Sequence, residues 1–87
     1  MKKQCVLNFP NPSRIYDASR HCVCFWGHDN AREVVFLVDD AMLTKLNPDM
    51  GPDESALLAT FDHNRDRILG LARTLYKGGP ATRYTIS

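Results

Sequence analysis

The stretch Glu33-Val34-Val35-Phe36-Leu37-Val38 is an apolar run of strand length, rich in β-branched residues. It reads as a central strand buried on both faces. The run before it, His21-Cys22-Val23-Cys24-Phe25-Trp26, is also built from β-formers, and Gly27-His28-Asp29-Asn30 follows as a turn. Two such runs with a connection of about four to six residues predict an antiparallel pair over 21–26 and 33–38. Upstream, Cys5 to Phe9 is a short apolar run stopped by Pro10-Asn11-Pro12-Ser13, which predicts a first strand over 5–9 and a turn. Arg14-Ile15-Tyr16-Asp17 alternates, and either extends that loop or joins the next strand.

Downstream, Asp39-Asp40 can cap a short helical turn over 40–46, because a carboxylate accepts the free amide protons of a helix start. Asn47-Pro48 ends it, and a long helix is expected from about 53 to 77, stopped by Gly78-Gly79-Pro80. Projected at about 100° per residue, Leu57, Phe61, Ile68, Ala72 and Leu75 fall in one arc, while Asp62, His63, Asp66 and Arg73 face away. Thr82 to Ile86 is rich in β-formers and returns as a last strand. The fold class is therefore α+β, a small antiparallel sheet packed against one long C-terminal helix.

With 87 residues the chain supports one core, so residues 1–87 form a single domain. Hydrophobic residues make up 44% and charged residues 24%, ordinary proportions for a chain that folds. A net charge of +1 supplies no global field, which argues against a mainly electrostatic nucleic-acid binder. No run approaches the roughly 18 apolar residues of a membrane span, and the start Met1-Lys2-Lys3-Gln4 leads into no secretory core. The expectation is a cytoplasmic protein. Its three cysteines, Cys5, Cys22 and Cys24, lack the spacing of a disulfide framework and are expected reduced and partly buried.

Arg65 is the anomaly of the helix, a charge inside the apolar arc between Phe61 and Ile68. Its candidate partners are Asp62, three residues earlier, and Glu33 and Asp17, which the sheet could bring close. Either its stem covers the core while its head bridges helix to loop, or it binds an anion or partner. Cys22, Cys24 and Trp26 share one face of their strand, and His28 would add a third soft or borderline ligand. A structural zinc takes four ligands in two separated pairs, so no metal or other cofactor is expected. No glycine-framed nucleophile or triad order is visible, and the carboxylate pairs Asp39-Asp40 and Asp62 with Asp66 read as cap and wet face. The chain is thus read as non-enzymatic. Gly27 and Gly78-Gly79 are turn glycines, not a phosphate loop. Arg14, Tyr16, Arg20 and Trp26 could make a basic, aromatic surface for single-stranded nucleic acid.

The blocks Asn8-Phe9-Pro10-Asn11, Ser13-Arg14, Tyr16-Asp17, Phe25-Trp26-Gly27, Glu33-Val34, Phe61-Asp62, Asn64-Arg65 and Arg67-Ile68 occur in this order. Together they resemble the bacterial domain of unknown function 1488, over Val6 to Ile86. The resemblance implies a single α+β domain in a cytoplasmic bacterial protein, with no activity, ligand or catalytic residue to carry over. Cys24 stands where that pattern is often basic and His28 where an aromatic is common, and both departures weaken the metal and thiol readings. The polar blocks mark Asp17, Glu33, Asp62 and Arg65 as a candidate binding or structural network. Arg14, Tyr16, Trp26 and His28 are the candidate surface. The function expected is a non-catalytic protein-binding or accessory module, meeting an unidentified protein partner or a second copy of itself. A weak nucleic-acid or anion binder is the alternative.

Overall fold

A computed structural model describes residues 7–51 and 53–87. In chain order it contains β1 (Arg14–Asp17), β2 (Cys22–Asp29), β3 (Arg32–Asp39), α1 (Asp40–Leu46), α2 (Glu54–His63), α3 (Arg65–Leu75) and β4 (Arg83–Ile86). The four strands lie in the order β1-β2-β3-β4, so the predicted α+β class holds and the apolar run over 33–38 is central.

The β2–β3 pair is antiparallel as expected, but longer and more tightly connected. Pairing runs out to Asp29↔Arg32, leaving a two-residue turn of Asn30 and Ala31. Asn30 takes a left-handed φ of 58°, which asparagine tolerates better than most residues. Gly27 is therefore inside a strand rather than in a turn. A Cβ there would lie 2.9 Å from Phe9 Cε1 and 3.0 Å from Leu7 Cδ1, so the glycine admits the N-terminal segment onto the sheet.

Two strand assignments need correction. Of the strand expected over 5–9, Cys5 and Val6 lie outside the described residues, and Asn8 makes only an isolated bridge to His28. The strand at this edge is Arg14–Asp17, antiparallel to β2. Pro10 and Pro12 have no N–H to donate and separate the bridge from the strand. The sheet is also mixed rather than antiparallel, because β4 runs parallel to β3 with Val35↔Arg83 and Val38↔Ile86 as partners. The helical connection carries the chain back to the starting end of β3, and only such a crossover joins parallel neighbours.

The long helix over 53–77 is two helices. At Asn64 (φ −111°, ψ 20°) the backbone N–H is shared between the carbonyls of Thr60 and Phe61, at 3.1 and 3.2 Å. The Asn64 side-chain amide also donates to the Thr60 carbonyl at 2.9 Å. Asp62-His63-Asn64 are three weak helix formers in succession, and an Asn side chain that competes for a backbone acceptor breaks the ladder there. The break lets α2 rest on β1 and β2 while α3 reaches β4. Ahead of them, α1 is capped by Asp39, whose carboxylate accepts from the Met42 N–H at 2.8 Å.

Leu57, Phe61, Ile68 and Ala72 are buried as the projection required, and Leu75, at the end of α3, is 37% exposed. They close over Val23, Phe25, Val34, Phe36 and Val38, with Leu43 of α1 and Ile86 of β4 in the same core. Phe25 stacks on Phe36 with centroids 5.4 Å apart and meets Phe61 at 5.2 Å. All these strand residues point to one face, so the helices cover that face of the sheet alone.

Candidate binding face

Strand alternation sends every second residue to the face that the described helices leave uncovered. Register then aligns them in rows across the strands. One row is Ile15, Cys24, Leu37 and Thr85; a second is Trp26, Val35 and Arg83; a third pairs His28 with Glu33; a fourth is Asp17, Cys22 and Asp39. Ile15 is 58% exposed, while Cys24, Trp26 and Val35 are half-buried. Cys22 and Leu37 are nearly covered even without a helix above them, and with Arg20 and Arg83 they line a hollow of about 270 Å³. Arginine stems can shelter apolar atoms while keeping their charge in water. The apolar centre of this face is thus edged by charges of both signs.

The residues singled out from the sequence do not form one cluster. Asp17 and Glu33 are on the uncovered face, whereas Asp62 and Arg65 belong to the helical side. Arg65 lies over the Phe61 ring, 5.6 Å from its centroid, and makes no ion pair among the described residues. That fits a stem that covers core surface with a head left in solvent. Asp62 instead receives Arg14 in a two-bond clamp, Nε to Oδ1 and Nη2 to Oδ2, both 2.8 Å. The Arg14 hydrogen bonds hold the Asp62 carboxyl below its usual range. Nothing in the sequence could have paired two residues 48 positions apart.

Side chains 33% and 49% exposed make this clamp worth less than about 1 kcal/mol. Because the folded carboxyl titrates below its unfolded value of about 3.9, the contribution is complete above about pH 5 and is lost as pH falls through the depressed value. Arg14→Met should therefore lower the urea midpoint slightly at neutral pH, with the difference from wild type shrinking as pH falls through the depressed Asp62 value. A difference that persists in acid would mean that Arg14 acts through its stem.

Of the candidate surface, Arg14 and Tyr16 turn to the helical side while Trp26 and His28 share the uncovered one. Tyr16 donates to Asp40 Oδ2 at 3.0 Å, and its phenol is pushed upward by burial first and by that carboxylate second. His28 Nε2 is 3.8 Å from Glu33 Oε2. Asp17 Oδ1 accepts from Ser19 N and Oγ at 3.1 and 2.7 Å and from Arg20 N at 3.3 Å. These bonds hold the Asp17 carboxyl low, the Ser19 hydroxyl contributing most. Burial pushes the Cys22 thiol up to about 11, with Cys24 adding to the shift, so Cys22 is a poor nucleophile at neutral pH.

Ile15 and Val35 belong to this face without being candidates from the sequence, and Leu37 lies nearly covered within it. The period-two alternation in 33–38 was the available signal, but a run apolar on both faces hides which one is covered. A groove of about 570 Å³ opens between Leu46–Gly51 and α2. A partly buried polar pair in it is satisfied internally, Asn47 Nδ2 donating to Thr60 Oγ1 at 3.2 Å. Among the described residues, no helix is long and apolar enough to cross a membrane.

Fold and face together define a small α+β domain with helices on one side of a mixed four-stranded sheet and a partly apolar bare side. The profile of the family described as "Protein of unknown function (DUF1488)" matches residues 7–87. The chain belongs to that family. The same fold occurs in the crystal structure of a protein of unknown function from the DUF1488 family of Shewanella loihica. The two are 10% identical, with 94% of each chain covered and a TM-score of 0.72. Comparison with curated proteins returns no match.

Proposed function

We propose that this chain is a non-catalytic protein-binding module whose bare sheet face takes a second copy of itself. The observation that carries the reading is the row Ile15, Cys24, Leu37 and Thr85, which crosses all four strands with Ile15 58% exposed at its edge. Asp17 and Glu33 oppose Arg20 and Arg83 around it, and a face with both signs is complementary to its own rotated copy. Two such faces can stack at about 10 Å, as in a β-sandwich. A four-stranded face of this length offers roughly 500 Å² in plan, which suits a weak dimer rather than an obligate one. Small domains also gain stability from association.

The nucleic-acid reading needs cations and a stacking ring on one surface. Arg14 is clamped to Asp62 on the helical side, opposite Trp26, and Arg20 is 3.8 Å from Asp17. Self-association accounts for more of the face.

Sedimentation equilibrium from low micromolar to near-millimolar chain tests the proposal. Wild type should pass from monomer to dimer, and Ile15→Lys, at an exposed strand position, should remain a folded monomer. A wild type that is monomeric throughout, or a dimer indifferent to Ile15→Lys, overturns it. A different protein retained by wild type and lost with Ile15→Lys would also overturn self-association by giving the face another occupant.

A further inference from the structure

With His28 as their companion, the two cysteines of β2 make no metal-ligand set, since His28 lies beside Glu33. The fold supplies a different one. Antiparallel register places Asp17 of β1 directly opposite Cys22, and alternation puts Cys24 on the same face two residues on. The two sulfurs and a carboxylate oxygen all lie within 4.8 Å of one another. We propose that Asp17, Cys22 and Cys24 form a binding site for one thiophilic divalent cation, of the Zn²⁺ or Cd²⁺ type. This inference is independent of self-association, since all three ligands come from one chain.

Sulfurs in a tetrahedral zinc site stand roughly 3.8 Å apart, as metal–sulfur bonds of about 2.3 Å require. Closing from a spacing of no more than 4.8 Å takes at most about 1 Å, within reach of side-chain torsions on a fixed strand pair. Two thiolates and a carboxylate select against hard cations such as Mg²⁺ and Ca²⁺, which prefer all-oxygen shells. The carboxylate is already oriented, because Ser19 N, Ser19 Oγ and Arg20 N all donate to Asp17 Oδ1. Such outer hydrogen bonds fix a ligand's direction. Charge balances as well: a dication with two thiolates and one carboxylate leaves one negative charge, and Arg20 Nε lies 3.8 Å from Asp17 Oδ2. Binding sends the two thiol protons to buffer, and water completes the fourth position from the solvent side. His28 takes no part, being engaged with Glu33.

The two sulfurs could not be joined as a simple redox pair, since residues i and i+2 on a regular strand place their Cβ atoms too far apart for an unstrained disulfide. Metal coordination tolerates the longer sulfur separation.

The test is titration of the full, reduced, metal-free chain with Cd²⁺, followed by thiolate-to-metal charge-transfer absorbance, with Zn²⁺ as competitor. It is run at a concentration where sedimentation shows monomer. Cys5→Ser controls for the third cysteine and should leave the titration unchanged. Wild type should saturate at one equivalent. Cys24→Ser and Asp17→Asn, at half-buried positions, should stay folded by circular dichroism and bind at least about a hundredfold more weakly, since even outer partners of a metal site cost about ten- to a hundredfold. Absence of the absorbance band in wild type, its survival in Cys24→Ser, unaltered affinity in Asp17→Asn, or its loss in Cys5→Ser would each overturn the site.

Discussion

Phe61→Ala is expected to cost about 3–5 kcal/mol, the usual range for emptying a fully buried aromatic site. Phe61 has no exposed surface, and its ring meets Phe25 at 5.2 Å, so it is the peg by which α2 is seated on the sheet. The cavity would sit between helix and strands, where the split at Asn64 leaves α2 only ten residues long. An isolated helix of that length is marginal in water, so packing must hold it. Against a total stability of about 5–8 kcal/mol for so small a domain, the substitution removes most of the margin. Urea denaturation gives the number directly. A loss below about 1 kcal/mol would show that α2 is held elsewhere.

Gly27→Ala should destabilise by about 1–3 kcal/mol, and here two effects compete. Alanine restricts the unfolded chain and weakens the entropy cost of folding, a gain of about 0.4–1 kcal/mol where the backbone accepts it. The added Cβ, however, would meet Phe9 Cε1 at 2.9 Å and Leu7 Cδ1 at 3.0 Å. Phe9 cannot swing away freely. It lies against Phe25 and Phe36 at 5.9 and 6.1 Å, with the Arg73 guanidinium 5.0 Å above it, and Leu7 is itself buried. The steric term therefore wins. Amide exchange at Asn8 and His28, which exchange backbone hydrogen bonds of 2.9 and 2.7 Å, should quicken in the variant. A neutral or stabilised variant with unchanged exchange would mean that the segment shifts as a unit at no cost.

Local pattern was enough for several elements. The apolar run over 33–38 announced a central strand, the 21–26 run its antiparallel neighbour, Asp39 the cap of α1, and the Leu57, Phe61, Ile68 and Ala72 spacing a helical face for the core. These depend on periodicity and capping chemistry within a few residues, which a sequence displays. Asn64 was also legible in principle, as the third of three weak helix formers, but the periodicity continues across it and conceals the break.

What the tertiary structure alone decided are the relations between distant segments. The parallel direction of β4 follows from where three helices deliver the chain, and no residue of Arg83–Ile86 encodes it. Arg65 is the charge that stands out in the helical pattern, yet Arg14 holds Asp62, because the break at Asn64 sets α2 beside β1. Gly27 resembles a turn residue until Leu7 and Phe9 are seen lying on it. Asp17 joins the two cysteines, and His28 does not, through strand register. Sequence thus determined which residues are apolar, in what period, and where elements start. Only packing decided which face of the sheet stays bare and which side chains meet there, since each such contact is made by chain closure over distances that local propensity does not see.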